Sequence, residues 1–217
     1  MKASLPKQTR ALMQIAEMFR IYSAIDHAFA HSSPVSLMIT SAERREGKTA
    51  LAVGLAILAA VKDKKRVLTI DLNWHEPSLH TFFGLDLLAG QGTLTQKSFM
   101  SLAQKTGIDN LEAVTAIPPG DLQANEDDGI HIAEDMITQA KQQYDLIVVD
   151  TPRIFPINRN MMDPVALSKL ADGVALVVLA NVTPRQQVKR AHMALDTAGA
   201  HMLGVVVNQW KNPLAFA

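Results

Sequence analysis

Gly47, Lys48 and Thr49 stand side by side in this 217-residue chain and could together bind the phosphates of a nucleotide. Backbone N–H groups at the start of a helix point at phosphate oxygens, and the helix dipole favours anions. Gly47 lets the backbone approach a ligand closely. Lys48 would bring positive charge to the phosphates, and the Thr49 hydroxyl could bind Mg²⁺. The alternative is a chance Gly-Lys-Thr in a loop, which is disfavoured because a strand is predicted before it and an apolar helix after it.

Residues 42–49 extend this motif toward the phosphate-loop pattern G-x-x-x-x-G-K-[ST]. The second glycine, the lysine and the threonine match, whereas Ala42 replaces the first glycine. Arg44 and Arg45 could add charge near the phosphates or could face solvent, and solvent is favoured for at least one of them. The residues expected to bind the nucleotide in this segment are Arg44, Arg45, Glu46, Gly47, Lys48, Thr49 and Ala50.

Two acidic residues, Asp71 and Asp150, each end an apolar stretch that reads as a strand. Ligands of open α/β sheets bind outside the carboxyl ends of the strands, which is also where the phosphate loop would lie. Mg²⁺ favours one or two carboxylates together with phosphate oxygens. Either aspartate alone could instead cap a turn. Together they predict a metal site made by Thr49, Asp71 and Asp150, with Lys48, Asp71 and Asp150 as candidate catalytic residues.

Apolar runs alternate with helical patterns along the chain, which predicts an α/β fold with a mostly parallel central sheet. With the phosphate loop, the expected architecture is the three-layer sandwich of P-loop nucleotide-binding proteins. The predicted strands are 35–40, 67–71, 111–116, 145–150, 174–180 and 203–208. The predicted helices are 9–31, 48–62, 130–143, 165–170 and 184–198. Residues 72–108 give only a helix start at Pro77-Ser78, and residues 118–129 predict an exposed loop with the acidic tip 126–128.

The length of the chain indicates one domain, residues 1–217. Lys and Arg number 21, as do Asp and Glu, and the resulting net charge of +0 gives no indication of nucleic-acid binding. The absence of cysteine excludes disulfides and thiol catalysis. No apolar run reaches the roughly 20 residues of a spanning helix, and Glu17 and Arg20 interrupt any signal-like segment. We therefore expect a soluble, cytoplasmic protein without direct membrane insertion.

With these motifs in view, the chain resembles the cytoplasmic kinase domain of the bacterial tyrosine kinases of capsule and exopolysaccharide synthesis, within the MinD/ParA class of P-loop ATPases. The segments that carry the resemblance are 39–49, 68–73, 77–85, 144–152, 171–178 and 203–208. It implies ATP or ADP with Mg²⁺ as cofactors, Asp71 as a base or metal-site carboxylate, and Asn208 against the adenine. It also implies a transmembrane polysaccharide co-polymerase as a partner that would bring the chain to the inner membrane.

Some residues depart from the pattern of that family. The signature lysine of MinD/ParA proteins would fall at Glu43, and the second acid of the family's Asp-x-Asp motif is Asn73. Arg153 stands where the family commonly has a second proline. The family's tyrosine-rich tail is missing, because the chain has only the tyrosines Tyr22 and Tyr144. We therefore expect no phosphorylation of a tail in this chain, and an acceptor would lie on another protein.

The N-terminal segment, residues 1–33, predicts a helix that could mediate self-association. Glu17 and Arg20 resemble the start of the family's oligomerisation motif E-x-x-R-x-x-R, whose last arginine is Ser23 here. The two residues could equally form a solvated ion pair three positions apart, worth only about 0.2–0.5 kcal/mol.

Three functions compete. The preferred one is an ATP-binding, tyrosine-kinase-like subunit of an exopolysaccharide or capsule system. The second is a nucleotide-switch ATPase of the MinD/ParA type, against which stand Glu43 and the lack of a membrane-binding helix. The third is a catalytically weak nucleotide-binding regulator, which Asn73 and the missing tyrosines favour.

Overall fold

The protein forms a seven-stranded sheet with helices on both faces. The computed structural model describes residues 5–30, 32–88, 99–117, 126–155 and 162–209. The strands are β1 (Val35–Ser41), β2 (Val67–Asp71), β3 (Gln104–Lys105), β4 (Leu111–Val114), β5 (Leu146–Arg153), β6 (Gly173–Leu179) and β7 (Met202–Asn208). Their order across the sheet is β3-β4-β2-β5-β1-β6-β7. Among these strands only β3 and β4 pair antiparallel, so the sheet is mostly parallel, as predicted.

Helices follow most of the strands, as right-handed crossovers between parallel strands require. They are α1 (Lys7–Leu12), α2 (Ala16–Ala28), α3 (Lys48–Lys62), α4 (Leu79–Phe83), α5 (Glu126–Lys141), α6 (Pro164–Leu167) and α7 (Arg185–Thr197). Two 3₁₀ turns, Phe99–Leu102 and Ser168–Leu170, complete the regular structure of the described residues. Helix α3 begins at Lys48, so its N-terminus directly follows the predicted phosphate loop.

The two faces of the sheet bury separate apolar clusters, which makes the fold a three-layer sandwich. In β1, Leu37 and Ile39 pack in the cluster that contains α2 and α3, whereas Met38 packs in the cluster that contains α5 and α7. This alternation follows from the two-residue period of a strand. Because both faces are covered, all seven residues of β1 are buried. The central strands are thereby fixed, and so are the residues at their ends.

The single helix predicted for residues 9–31 is wrong, because the chain forms α1 and α2 with a break at Ile15, whose backbone is extended. The apolar spacing is continuous, but the two halves pack on different neighbours. The hydroxyl of Thr9 in α1 donates to a carbonyl of α4, whereas Tyr22 of α2 donates to Asp63 at the end of α3, with a distance of 2.6 Å between Tyr22 Oη and Asp63 Oδ2. Tertiary contacts therefore override the local helical pattern.

An exposed loop was predicted for residues 118–129. This prediction is wrong for residues 126–129, which belong to α5. Acidic residues are favoured at helix N-termini as well as in loops, so composition did not separate the two structures. Residues 118–125 lie outside the described residues. In the segment 72–108, α4 begins at Leu79, directly after the predicted helix start at Pro77-Ser78. The structure adds one 3₁₀ turn and β3, neither of which has a strong periodic signal.

Among the helices of the described residues, none is both long enough and apolar enough to span a lipid bilayer.

Candidate nucleotide-binding site

Asp71 ends β2 and lies beside Asp150, which is near the end of β5 rather than at it, because β5 continues past the predicted strand end at residue 150 to Arg153. They are register partners in the pairing of β2 with β5, and both carboxylates are buried. Strand β1, which leads into the phosphate loop, pairs with the other side of β5. The two acidic strand ends and the loop therefore meet at one edge of the sheet, where open α/β sheets bind their ligands.

The loop between β1 and α3 turns through two residues with left-handed backbone, Arg45 at φ 59° and Gly47 at φ 93°. Such residues gather successive N–H groups into concavities that bind anions. A side chain at position 47 would meet Asn208, since an added Cβ would lie 2.4 Å from Asn208 Nδ2. The backbone angle therefore favours glycine, and a larger residue would also have to displace the amide at the end of the Asn208 side chain.

Lys48 lies within the first turn of α3, facing acidic neighbours. Burial lowers the pKa of its ammonium, while the charges of Asp150 and Glu46 act in the opposite direction. A partly desolvated ammonium beside a helix N-terminus is well suited to bind phosphate oxygens, because little water must be displaced.

The Thr49 hydroxyl donates to Asp150 Oδ2 at 2.6 Å and lies 2.7 Å from the Ser78 hydroxyl. The other oxygen, Asp150 Oδ1, is buried and has no hydrogen-bond partner among the described residues. Burial raises the pKa of Asp150. A hydroxyl and an unsatisfied buried carboxylate oxygen beside a phosphate loop are the oxygen donors that suit Mg²⁺, so these residues fit the ion.

Asp71 is held differently, by three backbone N–H groups. Its Oδ1 accepts from Asn73 at 3.0 Å, and its Oδ2 accepts from Ser78 and Leu79, each at 3.2 Å. Burial, followed by the charge of Asp150, nevertheless raises the pKa of Asp71. Two buried carboxylates at adjacent register positions repel each other, and a cation between strand ends and phosphates would relieve that repulsion.

Glu46 and Asn208 support the loop from the side of β6 and β7. The Glu46 carboxylate is 1 % exposed, accepts the Glu43 N–H at 2.8 Å and accepts the hydroxyl of Thr183. Asn208 Nδ2 donates to the Glu46 carbonyl at 2.9 Å. The Glu46 side chain is therefore a brace of the loop rather than a phosphate ligand, and only its backbone remains a candidate. Asn208 lies against the loop itself, and its predicted contact with adenine stays a prediction.

The arginines near the loop occupy two environments. Arg44 and Arg45 are exposed, and Arg44 pairs with Glu76 at the surface, as expected for at least one of them. Arg153 is instead largely enclosed, with 14 % of its side chain exposed, and its Nη1 lies 2.8 Å from Glu43 Oε2. Sequence reasoning named Glu43 and Arg153 only as departures from a family pattern and did not predict this ion pair.

Asn73 and Ser78, which were not predicted as site residues, also belong to this edge. Asn73 Nδ2 donates to the Glu76 carbonyl at 2.8 Å, while its buried Oδ1 has no partner among the described residues. Ser78 contacts both Thr49 and Asp71. The sequence signal that could have identified Ser78 is its position just before a helix, where a serine often caps the helix N-terminus.

The parallel sheet, the loop at the start of α3 and the acidic strand ends define a P-loop nucleotide-binding protein. The chain is 32% identical over 201 residues to the tyrosine-protein kinase YwqD of Bacillus subtilis, covering 90% of this chain and 81% of YwqD. It is 30% identical over 211 residues to the putative tyrosine-protein kinase CapB of Staphylococcus aureus, covering 94% and 86%. The chain therefore belongs to the bacterial tyrosine-protein kinase family. No family model matches it.

Solved structures agree on the fold. The chimerical protein CapA2B2 has a TM-score of 0.73 at 25% identity, covering 90% of this chain and 84% of its own. The kinase domain of the Escherichia coli tyrosine kinase ETK also has a TM-score of 0.73, at 20% identity, covering 90% and 76%. The septum site-determining protein MinD of Pyrococcus horikoshii, in complex with Mg-ADP, has a TM-score of 0.63 at 18% identity. The match covers 83% of this chain and 75% of the MinD chain. These proteins confirm the predicted resemblance and fold.

Proposed function

We propose that this chain binds ATP with Mg²⁺ in its phosphate loop and acts as the cytoplasmic kinase domain of a capsule or exopolysaccharide system. The observation that carries the proposal is the contact of the Thr49 hydroxyl with Asp150, whose second oxygen is buried without a partner among the described residues. Together with the loop N–H groups, these oxygens form the set that Mg²⁺ and a nucleotide would complete. Membership of the tyrosine-kinase family and the Mg-ADP in the related MinD structure support the same assignment.

Each site residue has a role in this proposal. The loop N–H groups from Arg44 to Ala50 and the Lys48 ammonium hold the phosphates, and Thr49, Asp150 and Asp71 are the candidate metal residues. Bound Mg²⁺ would neutralise charge on the β and γ phosphates. We propose that Asp71 accepts a proton from the attacking hydroxyl; this is supported by its pKa, which burial raises and which makes it a stronger base than an exposed aspartate.

The phosphate acceptor in this proposal lies on another protein. Both tyrosines of the chain are buried and hydrogen-bonded, Tyr22 to Asp63 and Tyr144 to Glu112. Burial, reinforced by these acidic partners, raises the pKa of each phenol. Neither hydroxyl is available to a second copy of the site without local unfolding.

A transmembrane co-polymerase is the partner we propose, holding the chain at the inner membrane. One relative, ExoP of Rhizobium meliloti, is a succinoglycan biosynthesis transport protein, of which this chain covers 25% at 28% identity. We also propose self-association through α2, whose Glu17 and Arg20 are exposed next to Phe19, which is 41% exposed.

A catalytically weak regulator remains the second candidate because of Asn73. Its buried amide oxygen sits where the family's motif has a carboxylate, and an amide cannot supply the charge that a second acid would. A regulator of this kind would bind ATP without transferring phosphate. A MinD-type switch would instead release free phosphate.

Incubation with radiolabelled ATP and Mg²⁺, alone and with a tyrosine-bearing partner, separates these functions. Label on a partner tyrosine supports the kinase, free phosphate without labelled protein supports the switch, and tight binding with neither product supports the regulator. Lys48→Met should weaken ATP binding at least about tenfold, because a charge-assisted contact to phosphate is lost.

Lys62→Met is the matched control, since it removes an exposed lysine from the other end of the same helix. It should leave the dissociation constant for ATP unchanged. Equal affinities of the Lys48→Met variant and the wild type would contradict the assigned loop.

A further inference from the structure

Arg153 brings a guanidinium to the phosphate loop from the end of β5. Its Nη1 donates to Glu43 Oε2 at 2.8 Å, and only 14 % of the side chain is exposed, compared with 47 % for Arg44. Glu43 is the second residue after β1, so this ion pair joins the first turn of the loop to the strand that carries Asp150.

The backbone at this point is fixed on both sides. Arg153 is the register partner of Ser41, the last residue of β1. The Thr40 hydroxyl donates to the Pro152 carbonyl at 2.9 Å, and the Ile154 N–H donates to the Ser41 carbonyl at 2.9 Å. The side chain of Arg153 therefore starts from a rigid position beside the loop.

The guanidinium also lies within electrostatic reach of Lys48. Burial is the main cause of the lowered pKa of Lys48, the charges of Asp150, Glu46 and Glu76 oppose it, and the positive charge of Arg153 adds the smallest contribution. Two cations facing one loop repel each other, and a phosphate between them would reverse that repulsion into attraction. When no ligand is bound, the negative charge of Glu43 compensates part of the positive charge of these two residues.

We propose that Arg153 contacts the terminal phosphate of bound ATP, while Glu43 acts as a positioning residue that holds the guanidinium through Nη1. An arginine has five N–H donors in a planar fork, so donors remain for phosphate oxygens after the contact with Glu43. Arg153 would then distinguish ATP from ADP. The inference deepens the proposed function and rests on ATP binding at this loop.

The test compares dissociation constants for Mg-ATP and Mg-ADP, measured by calorimetry on the full chain. We expect Arg153→Ala to weaken ATP binding about tenfold to a hundredfold and to leave ADP binding within about twofold, because only ATP carries the terminal phosphate. Arg153→Lys keeps the charge but not the fork, so it should recover part of the ATP preference. Arg66→Ala is the matched control, because it removes an ion-paired arginine just before β2, at the opposite edge of the sheet, and should change neither constant.

Equal losses for ATP and ADP in Arg153→Ala would show a structural role and overturn the inference, as would unchanged constants for both nucleotides. If Arg153→Ala does not fold, as judged by circular dichroism, Arg153→Lys decides alone, and an ATP-to-ADP ratio equal to that of the wild type with no loss for either nucleotide would overturn it. Absence of nucleotide binding by the wild type would overturn the proposed function as well, so the two failures are distinguishable.

Discussion

Replacing Asp150 by asparagine removes a negative charge from a fully buried position and leaves the shape of the side chain almost unchanged. Asp150 is 0 % exposed, and burial raises its pKa. A raised pKa means that the folded protein holds the charged form less well than the unfolded chain does. An amide at this position keeps an oxygen that accepts from the Thr49 hydroxyl, and its NH₂ group would occupy the position of Asp150 Oδ1, uncharged but still without a hydrogen-bond partner among the described residues.

We expect the nucleotide-free Asp150→Asn variant to be more stable than the wild type by about 1–3 kcal/mol at roughly pH 8, because the carboxylate is ionised at that pH and each unit by which burial raises its pKa, to about 6, costs the folded state roughly 1.4 kcal/mol. For a chain of this size, each kcal/mol raises Tm by about 2–4 °C. The affinity for Mg-ATP should change in the other direction and fall at least about tenfold, because a candidate metal carboxylate is lost.

Thermal unfolding with and without Mg-ATP, together with calorimetric titration, measures both effects. Asp71→Asn is the matched control, because each oxygen of Asp71 accepts at least one backbone N–H. Either orientation of an amide there sets an N–H group against a backbone N–H, so its gain in Tm should be smaller than that of Asp150→Asn. A lower Tm for nucleotide-free Asp150→Asn than for the wild type, or an unchanged Mg-ATP affinity, would refute the reasoning.

Two further predictions concern pH and the glycine of the loop. The raised pKa values of Asp71 and Asp150 mean that the nucleotide-free folded state binds more protons than the unfolded chain, so its stability should fall as pH rises above about 4 toward the raised values. Urea unfolding over a pH series should show this decline, and a curve that rises through that window would contradict it. Gly47→Ala should cost about 1–2 kcal/mol of strain and also weaken nucleotide binding, because its Cβ would meet Asn208. Gly199→Ala is the control, because Gly199 also has a positive φ but a Cβ added there would meet nothing within 4 Å. Equal effects of both variants on nucleotide affinity would argue against the Asn208 contact.

The strand ends of the site could be predicted because they depend on short-range patterns. Continuous apolar runs identify buried parallel strands, and parallel strands present their carboxyl ends at one edge. These two rules predict that Asp71 and Asp150 lie near one edge, whereas their register pairing is known only from the structure. The start of α3 at Lys48 was predicted from the phosphate-loop motif.

The contacts that brace the loop could not be predicted, because they join residues far apart in sequence. The pair between Glu43 and Arg153 depends on β5 continuing beyond Asp150 and on a shift of its register with β1 between Ile39 and Ser41. The contact between Glu46 and Thr183 depends on how the turn after β6 packs. The break between α1 and α2 has the same origin, since it is set by the neighbours of each helix rather than by periodicity.

The phosphate loop is tied to its surroundings at three successive points, through Glu43 to β5, through Arg44 to the segment after β2, and through Glu46 to the turn after β6. A loop anchored in this way has already lost its conformational freedom when the protein folds. Ligand binding then costs little further conformational entropy of the loop. Such a loop is a preorganised binding site and does not need to close around its ligand. Rapid association without a slow conformational step is the kinetic behaviour that this architecture favours.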